Sequence, residues 1–382
     1  MNAPPRLIIL GSSVTSLAVA RNAADLGMRP VVMDTVNDIA TSTRRAEVWL
    51  LPGAQPDVLL KQLAQFAEGR PAWLIATSDA WLRFVSRYRE TLQQQFSEIL
   101  HPDNASLAIC LDKADFARWC TAQCLPVPRS YDPARMLTDT ANLPFPLLLR
   151  PQQSSNASRT TVPKAVEARN SSELARWMAV FEAAGVTPLV TESLLGRRLT
   201  QYSVGAARRA NALMTFVAIK RRPLPEICAV GSYVELVPND AVEAIARQAL
   251  EALDYHGIAE VEVLHDEESG QDYLIEINAR PWVQCGLGVA SGHDLLAFML
   301  DPSRFDPRRA AKTGRRWINL SADLYYSFSR SVGFVRDGRV PLGRYVSSVL
   351  RANTFAYLSW ADPGPAWRNL RQFVGSITAP RA

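Results

Sequence analysis

The chain contains 382 residues, of which 48% are hydrophobic and 21% are charged, and its formal net charge is +5. This composition excludes a disordered chain, and at roughly 100–200 residues per domain the length predicts two to four domains. No apolar run reaches the roughly 20 residues of a transmembrane helix, and the first residues lack a signal-peptide pattern, so we expect a cytoplasmic protein. The five cysteines are an odd number, which argues against a disulfide framework.

Residues 1–105 are predicted to form a parallel-sheet domain. Residues 7–34 have a strand–helix–strand pattern, which is typical of a βαβ unit. The turn after the first strand, residues 11–16, reads G-S-S-V-T-S. Serines stand where a dinucleotide-binding turn has its second and third glycines, so a nicotinamide-dependent dehydrogenase is disfavoured.

Residues 106–195 are predicted to form an α+β unit. A helix begins at Lys113, directly after an aspartate that can cap it, and strands are predicted at residues 146–150 and 188–191. A polar loop without glycine, residues 152–158, follows the first of these strands. The unit therefore has a strand–loop–helix–strand order after its first helix.

Residues 196–300 are predicted to form a second α+β unit that ends in a β-hairpin. The pairing of Leu264 with Leu274 sets the register that we expect for this hairpin. The predicted elements of this unit are strands near 199–205 and 211–220, a helix over 240–255, and hairpin strands over 258–265 and 273–278.

The predicted hairpin carries acidic residues that face each other. In this register Glu262 lies opposite Glu276, and Glu260 lies opposite Asn278. Two facing carboxylates repel each other, and a sheet tolerates them when a cation lies between them. Glu262, Glu276 and Asn278 offer only oxygen ligands, which suits Mg²⁺. The alternative interpretation is an exposed acidic face without a metal.

The order and spacing of several segments resemble the ATP-grasp superfamily, of the carboxylate–amine ligase type to which D-aspartate ligase and the large subunit of carbamoyl-phosphate synthetase belong. The segment that carries most of the resemblance is L-I-E-I-N-A-R-P at residues 274–281. The other matching segments are D-K at 112–113, P-V-P at 126–128, P-L-L-L-R-P at 146–151 and V-T-E-S-L-L-G at 190–196.

The resemblance implies an α/β and α+β architecture in which a parallel-sheet domain precedes two α+β subdomains that sandwich ATP. In the family, backbone groups of the hinge contact adenine, which here implies Glu192, Ser193 and Leu195. The implied parts are a front domain over 1–105, a small subdomain over 106–195, a large subdomain over 196–300 and a C-terminal extension over 301–382.

The resemblance also implies how phosphates are held. Lys113 and Arg150 would bind phosphate oxygens, and Lys220 would lie near the γ-phosphate and take part in catalysis. Arg150 replaces the lysine that is usual in the family, but it keeps the charge and the hydrogen-bond donors. The loop 152–158 departs from the glycine-rich loop of the family, which leaves its contact with the phosphates open.

For metal and substrate, the resemblance implies that the oxygen ligands of the hairpin bind Mg²⁺ or Mn²⁺. Arg280 would stabilise the transferred phosphoryl group and contact the substrate. The front domain of the family helps to build the acceptor site, so Gly11, Ser12 and Ser13 would contact substrate. The alternative for these three residues is a turn that only caps a helix.

The implied reaction is ATP-dependent ligation of a carboxylate to an amine, most simply an amino acid, through an acyl phosphate with release of ADP. The alternatives are a phosphotransferase of the same fold and an ATP-binding scaffold without catalysis. Residues 301–382 carry 14 Lys and Arg but 5 Asp and Glu, a net charge of +9, which suggests an acidic polymer or a membrane-linked acceptor. No nucleic-acid-binding motif is present, and a homodimer is expected from the family.

Overall fold

The structure is a computed structural model in which three β-sheets, of five, four and seven strands, organise the described part of the chain. The polar loop 152–158 falls outside the described residues except for Gln152. The structure describes residues 4–378 except residue 70 and the stretches 133–142, 153–161, 225–229, 307–309 and 330–332.

The first sheet contains five parallel strands in the order β3-β2-β1-β4-β5. Residues 7–10 are fully buried, as expected for a strand covered on both faces, and the predicted βαβ unit is confirmed. The strands are β1 Arg6–Leu10, β2 Arg29–Asp34, β3 Glu47–Leu50, β4 Ala72–Ala76 and β5 Glu98–Ile99. The helices are α1 Val14–Asp25, α2 Pro56–Ala67, α3 Asp79–Arg87, α4 Arg89–Gln95 and α5 Asn104–Leu111.

The second sheet contains four antiparallel strands in the order β6-β9-β7-β8. Its apolar face packs on a helix through buried Leu149, Leu174 and Phe181. Asp112 caps the helix that begins at Lys113, because its side chain accepts hydrogen bonds from two backbone amides of the first turn. The elements are α6 Lys113–Ala122, β6 Ser130–Tyr131, β7 Leu147–Pro151, β8 Val166–Ala168, α7 Ser171–Ala183 and β9 Pro188–Glu192.

The third sheet contains seven strands in the order β14-β13-β10-β11-β12-β15-β16. The helix of this unit was predicted to reach residue 255, but it ends at Ala252. It cannot continue to residue 255, because Asp254 adopts a left-handed backbone conformation with a φ of 45°. The elements are β10 Leu199–Arg209, β11 Ala212–Leu224, β12 Val230–Leu236, α8 Asp240–Ala252, β13 Gly257–Asp266, β14 Asp272–Asn278, β15 Arg316–Ile318 and β16 Thr354–Phe355.

The hairpin of β13 and β14 has a register that differs in part from the predicted one. Val263, not Leu264, pairs with Leu274, and a β-bulge separates this pair from the pair of Glu262 with Glu276. A bulge inserts one residue on one strand, so the pairing is shifted on one side of it and unchanged on the other. The predicted pairing of the acidic residues is therefore correct, although the Leu264–Leu274 pairing is wrong.

The segment after residue 300 packs on the rest of the chain. It adds β15 and β16 to the large sheet, and Asp362, which is fully buried, accepts a hydrogen bond from Arg21 of α1 at 3.0 Å. The predicted domain limits stay predictions. No helix in the described ranges is long and apolar enough to cross a membrane. The remaining helices are α9 Gly286–Ser291, α10 Leu295–Leu300, α11 Leu320–Phe328, α12 Leu342–Leu350 and α13 Gly364–Thr378.

Candidate active site

Two pairs of polar side chains face each other across β13 and β14. Glu262 lies opposite Glu276, and Glu260 lies opposite Asn278. Glu260 and Glu262 are buried, whereas Glu276 and Asn278 are half-buried. Facing carboxylates repel each other, and their burial removes the solvent that would weaken the repulsion. The pair therefore requires positive charge nearby.

Lys220 on β11 supplies part of that charge. Its Nζ lies 2.6 Å from Glu262 Oε1 and 3.5 Å from Glu260 Oε1. Burial alone would lower the pKa of Lys220, but the two carboxylates outweigh burial and raise the pKa above its ordinary value. Lys220 therefore remains charged and compensates the acidic pair. Its predicted contact with the γ-phosphate stays a prediction, because the ammonium is directed at the carboxylates here.

A cavity of about 30 Å³ lies where α3, α6 and β14 meet. Asp79, Lys113, Glu276 and Asn278 are among its lining residues. Burial, and then the charge of Glu262, raise the pKa of Glu276, while burial lowers the pKa of Lys113 against the opposing effect of Glu276. The cavity has room for an ion or a water molecule and not for a triphosphate.

Arg150 at the end of β7 lies at the edge of this site. The positive charge of Arg150 acts to lower the pKa of both Lys113 and Glu276. Its buried Nε has no hydrogen-bond partner among the described residues. The backbone N–H of Lys113 donates to the carbonyl of Gln152 at 3.0 Å, which fixes the start of α6 beside the end of β7. A buried cationic donor without a partner suits an anionic ligand such as phosphate.

Arg280 follows the hairpin and connects it to the first domain. Its Nε donates to Asp79 Oδ1 at 2.7 Å, and its second guanidinium nitrogen donates to Asn278 Oδ1 at 3.1 Å. Asp79 is the first residue of α3, directly after the carboxyl end of β4. Three parts of the chain, α3, α6 and the hairpin, therefore contribute charged groups to one place.

The chain matches no protein-family model. Among curated proteins, the D-aspartate ligase of Enterococcus faecium (strain Aus0004) is 20% identical over 359 residues, which cover 85% of this chain and 84% of that protein. Among solved structures, N5-carboxyaminoimidazole synthetase from Staphylococcus aureus has a TM-score of 0.64 at 15% identity and covers 86% of both chains. The L-amino acid ligase from Bacillus licheniformis has a TM-score of 0.60 at 16% identity, covering 83% of this chain and 79% of that one. The chain has the ATP-grasp fold.

The predicted ATP-grasp fold is thereby confirmed, and the relatives point to the carboxylate–amine ligase type. The S. aureus structure complexed with ADP is also similar, with a TM-score of 0.62 at 13% identity.

The side chains predicted to bind the metal fit a hard divalent cation by their chemistry. Glu262 and Glu276 are opposed carboxylates, and burial together with their mutual repulsion raises the pKa of Glu276. In the described part of the chain, no three His, Cys, Asp or Glu residues cluster as a ready metal site. The predicted third ligand is the side-chain amide oxygen of Asn278, and a cation would relieve the repulsion between the two carboxylates.

The predicted hinge consists of Glu192, Ser193 and Leu195. The backbone N–H groups of Glu192 and Ser193 donate to the carbonyls of Arg129 and Pro146, and the Leu195 N–H donates to Ser193 Oγ at 3.2 Å. These three donors are therefore used within the protein. The predicted contact of the hinge with adenine stays a prediction.

The predicted substrate turn lies at the carboxyl end of β1. Gly11 has a φ of 119°, and an added Cβ would lie 2.3 Å from Thr77 Oγ1, so glycine is required there by the fold. Ser12 is buried and donates to Asp34 Oδ2 at 2.8 Å, while Ser13 precedes α1 without a side-chain cap. Gly11 and Ser12 thus have structural roles, and the substrate contact of the turn stays a prediction.

Sequence reasoning did not identify His101. This buried residue accepts a hydrogen bond from the Ala76 N–H at its Nε2, at 2.6 Å, so Nδ1 carries the proton and donates to the Ala279 carbonyl at 3.0 Å. Ala76 ends β4, and Ala279 lies between Asn278 and Arg280. His101 therefore holds the end of the hairpin against the first domain. The sequence carried one signal, namely that only four histidines are present.

Proposed function

We propose that this protein joins a carboxylic acid to an amine, with ATP and Mg²⁺ or Mn²⁺, through an acyl-phosphate intermediate and with release of ADP and phosphate. ATP-dependent carboxylate–amine ligation is supported in general by the relatives. The observation that carries the proposal is the convergence of Glu276, Asn278 and Lys113 on one cavity, with Glu262 directly opposite Glu276. The acyl phosphate and the choice of an amino acid as the amine are our inference.

In this proposal Glu262, Glu276 and Asn278 hold the divalent cation. The cation supplies neutralisation of the phosphate oxygens when bound. Lys220 keeps its charge between Glu260 and Glu262 and thereby holds the carboxylates in place. Because Glu262 is buried and paired with Lys220, it is positioned before any ligand arrives.

The phosphates are held by cations from two elements. Lys113 begins α6, and Arg150 precedes the last residue of β7, where its buried Nε has no partner within the described residues. Arg280 is fixed by Asp79 at 2.7 Å, so its guanidinium is oriented beside Asn278. Oriented cations of this kind stabilise the charge that develops on a transferred phosphoryl group.

The proposed reaction has two steps. A carboxylate oxygen of the substrate attacks the γ-phosphorus, and the bond from that phosphorus to the bridging oxygen of ADP breaks. The amine then attacks the acyl carbon, the amine loses a proton, and inorganic phosphate leaves. The protein has to position the reactants and neutralise charge, so no side-chain nucleophile is required.

The predictions about partners are retained within this proposal. The turn of Gly11, Ser12 and Ser13 would border the acceptor site, and the basic segment 301–382 supports an acidic polymer or a membrane-linked acceptor by its charge. We expect the protein to be a homodimer and to be cytoplasmic. Nucleic acid is not among the proposed partners.

A product screen tests the proposal. The protein is incubated with ATP, Mg²⁺, and pools of carboxylic acids and amino acids, and mass spectrometry identifies the products while ADP and AMP are quantified. We expect an amide, ADP and phosphate in equal amounts. A stable phosphoester with ADP would instead show a phosphotransferase, AMP would exclude the proposed chemistry, and the absence of turnover across all pools would favour a scaffold.

A further inference from the structure

The C-terminal segment exposes an unusual amount of apolar side-chain surface. Across the described residues, 19 large hydrophobic side chains are strongly exposed, and 12 of them lie between residues 320 and 374. Folded domains seldom expose hydrophobic residues in such a concentration unless the surface binds something. The twelve are Leu320, Leu324, Tyr325, Phe328, Leu342, Val346, Leu350, Leu358, Trp360, Trp367, Leu370 and Val374.

Several of these side chains line one apolar groove between α11 and α13, with a volume of about 320 Å³. Leu320 and Leu324 come from α11, Trp367 and Leu370 come from α13, and Leu358 comes from the loop between β16 and α13. The exposed residues of two helices therefore form a common surface and are not scattered individually.

Helix α13 is amphipathic, and its polar side is already used. Arg368 donates to Asn37 Oδ1 at 2.7 Å and to the Asn37 carbonyl at 2.8 Å, which holds the helix on the first domain. Trp367, Leu370 and Val374 follow at helical spacing and are 62%, 48% and 50% exposed. The packing of α13 thus leaves an apolar stripe directed to solvent.

Helix α12 has a second exposed apolar stripe. Leu342, Val346 and Leu350 recur every four residues and are 58%, 46% and 80% exposed. Tyr345 is buried and packs edge-on against Phe328 of α11, with ring centroids 5.5 Å apart. Each of the two helices, α12 and α13, therefore packs one side inward and leaves an apolar stripe outside.

The electrostatics of this segment select the kind of partner. Its net charge is +9, and two of its five acidic residues, Asp323 and Asp362, are fully buried and pair with Arg222 and Arg21 of the preceding chain. The outer surface is therefore more basic than the sequence count indicates. Exposed arginines without an ion pair among the described residues are Arg339, Arg344, Arg351 and Arg371.

We propose that the C-terminal apolar face, meaning the twelve exposed apolar side chains of α11, α12, α13 and the loop before α13, docks peripherally on an anionic lipid bilayer. Apolar stripes flanked by arginine are typical of helices that lie in the interface of a membrane, and Trp and Tyr prefer that region. A second copy of the chain would bring two basic surfaces together, which the charge disfavours. The inference is independent of the ligase reaction, because it concerns binding alone.

Vesicle flotation of the full chain tests the proposal. One set of vesicles contains phosphatidylcholine with about 40% phosphatidylglycerol, and the other contains phosphatidylcholine alone. We expect binding to the anionic vesicles that weakens at high salt, and little binding to the neutral ones. Trp367→Asp with Leu370→Asp, and separately Val346→Asp with Leu350→Asp, should each reduce binding by about tenfold or more.

Val58→Asp is the matched control, because Val58 of α2 is also 50% exposed but lies outside the C-terminal apolar face. It should bind vesicles like the unchanged chain, and circular dichroism should show that all variants are folded. If both double variants bound the anionic vesicles as well as the unchanged chain does, the proposal would be overturned. Absence of binding to the anionic vesicles would also overturn it. If sedimentation then showed a dimer that the same variants dissociate, the apolar face would be an interface between two copies of the chain.

Discussion

At the scale of single residues, the site is organised around negative charge that the protein keeps buried. Glu260 and Glu262 are 4% and 7% exposed, and Lys220 neutralises only one unit of their combined charge. Glu276 adds a third carboxylate, whose pKa is raised by burial and then by Glu262. Lys113 and Arg150 offset part of the charge of Glu276, and a bound divalent cation would offset the rest.

Replacing Glu276 by Gln tests that role. The substitution keeps the size of the side chain and removes the charge, so we expect ATP turnover to fall by about 100-fold or more, with the fold unchanged. Glu268→Gln is the control, since Glu268 lies on the turn of the same hairpin and its side chain is 61% exposed. ADP release and thermal melting measure the two effects. Full activity of Glu276→Gln would remove this residue from the proposed metal site.

Replacing Arg280 by Ala separates catalysis from binding. Arg280 is oriented by Asp79 and Asn278, so its loss should lower kcat more than it raises KM for ATP. Asp79→Asn keeps the Arg280 charge and loosens only its orientation, so we expect a smaller decrease of kcat. Steady-state kinetics with varied ATP measure both. A change confined to KM would reassign Arg280 to nucleotide binding.

At the scale of elements, long-range contacts position the hairpin. His101 joins β4 to the segment after β14 across 178 residues of sequence, and the Asp79–Arg280 ion pair spans 201 residues. The alternation of the hairpin strands made the facing of Glu262 and Glu276 predictable, because side chains in a strand alternate with period two. Contacts between distant segments leave no such period, so neither His101 nor Asp79 could be predicted as part of the site.

His101 also gives the stability a pH dependence of definite sign. Burial lowers its pKa from 6.5 to about 3, so below pH 6.5 the unfolded chain binds a proton that the folded chain does not. The contribution of His101 is complete above pH 6.5 and is lost as pH falls towards 3. Urea unfolding at about pH 7.5 and about pH 5 measures the free energy of unfolding at each pH. Between these two values, the unchanged protein should lose about 2 kcal/mol more of this free energy than the His101→Gln variant loses. Equal losses in the two proteins would contradict this assignment.

The ion pair between Arg222 and Asp323 ties α11 to the large sheet. Asp323 accepts hydrogen bonds from Arg222 Nε at 2.6 Å and from Ser232 Oγ at 2.7 Å, and it is fully buried. Asp323→Ala leaves a buried guanidinium unpaired, so we expect the free energy of unfolding to decrease by about 3 kcal/mol or more. Asp337→Ala, which breaks an exposed pair with Arg336, should cost less than about 1 kcal/mol. Urea denaturation of both variants measures the difference, and equal effects would contradict the structural role of Asp323.

At the scale of the whole molecule, the C-terminal segment is where prediction from sequence was least informative. Its two strands, β15 and β16, contain three and two residues, which is too short for a visible alternation, and they join a sheet whose other strands precede residue 300. The front domain was predictable because residues 7–10 form a continuous buried run. The predicted basic character of the tail holds, but the stripes of α12 and α13 show their exposure only in three dimensions.

The central claim is that the acidic hairpin holds the cation that accompanies the nucleotide. A crystal structure of the protein with Mn²⁺ and ADP tests it most directly, because the anomalous signal of Mn²⁺ locates the metal without reference to its ligands. We expect the metal at coordination distance from the carboxylates of Glu262 and Glu276 and from the side-chain amide of Asn278, with phosphate oxygens completing the shell. A metal bound elsewhere, or ADP bound without a metal at the hairpin, would contradict the account.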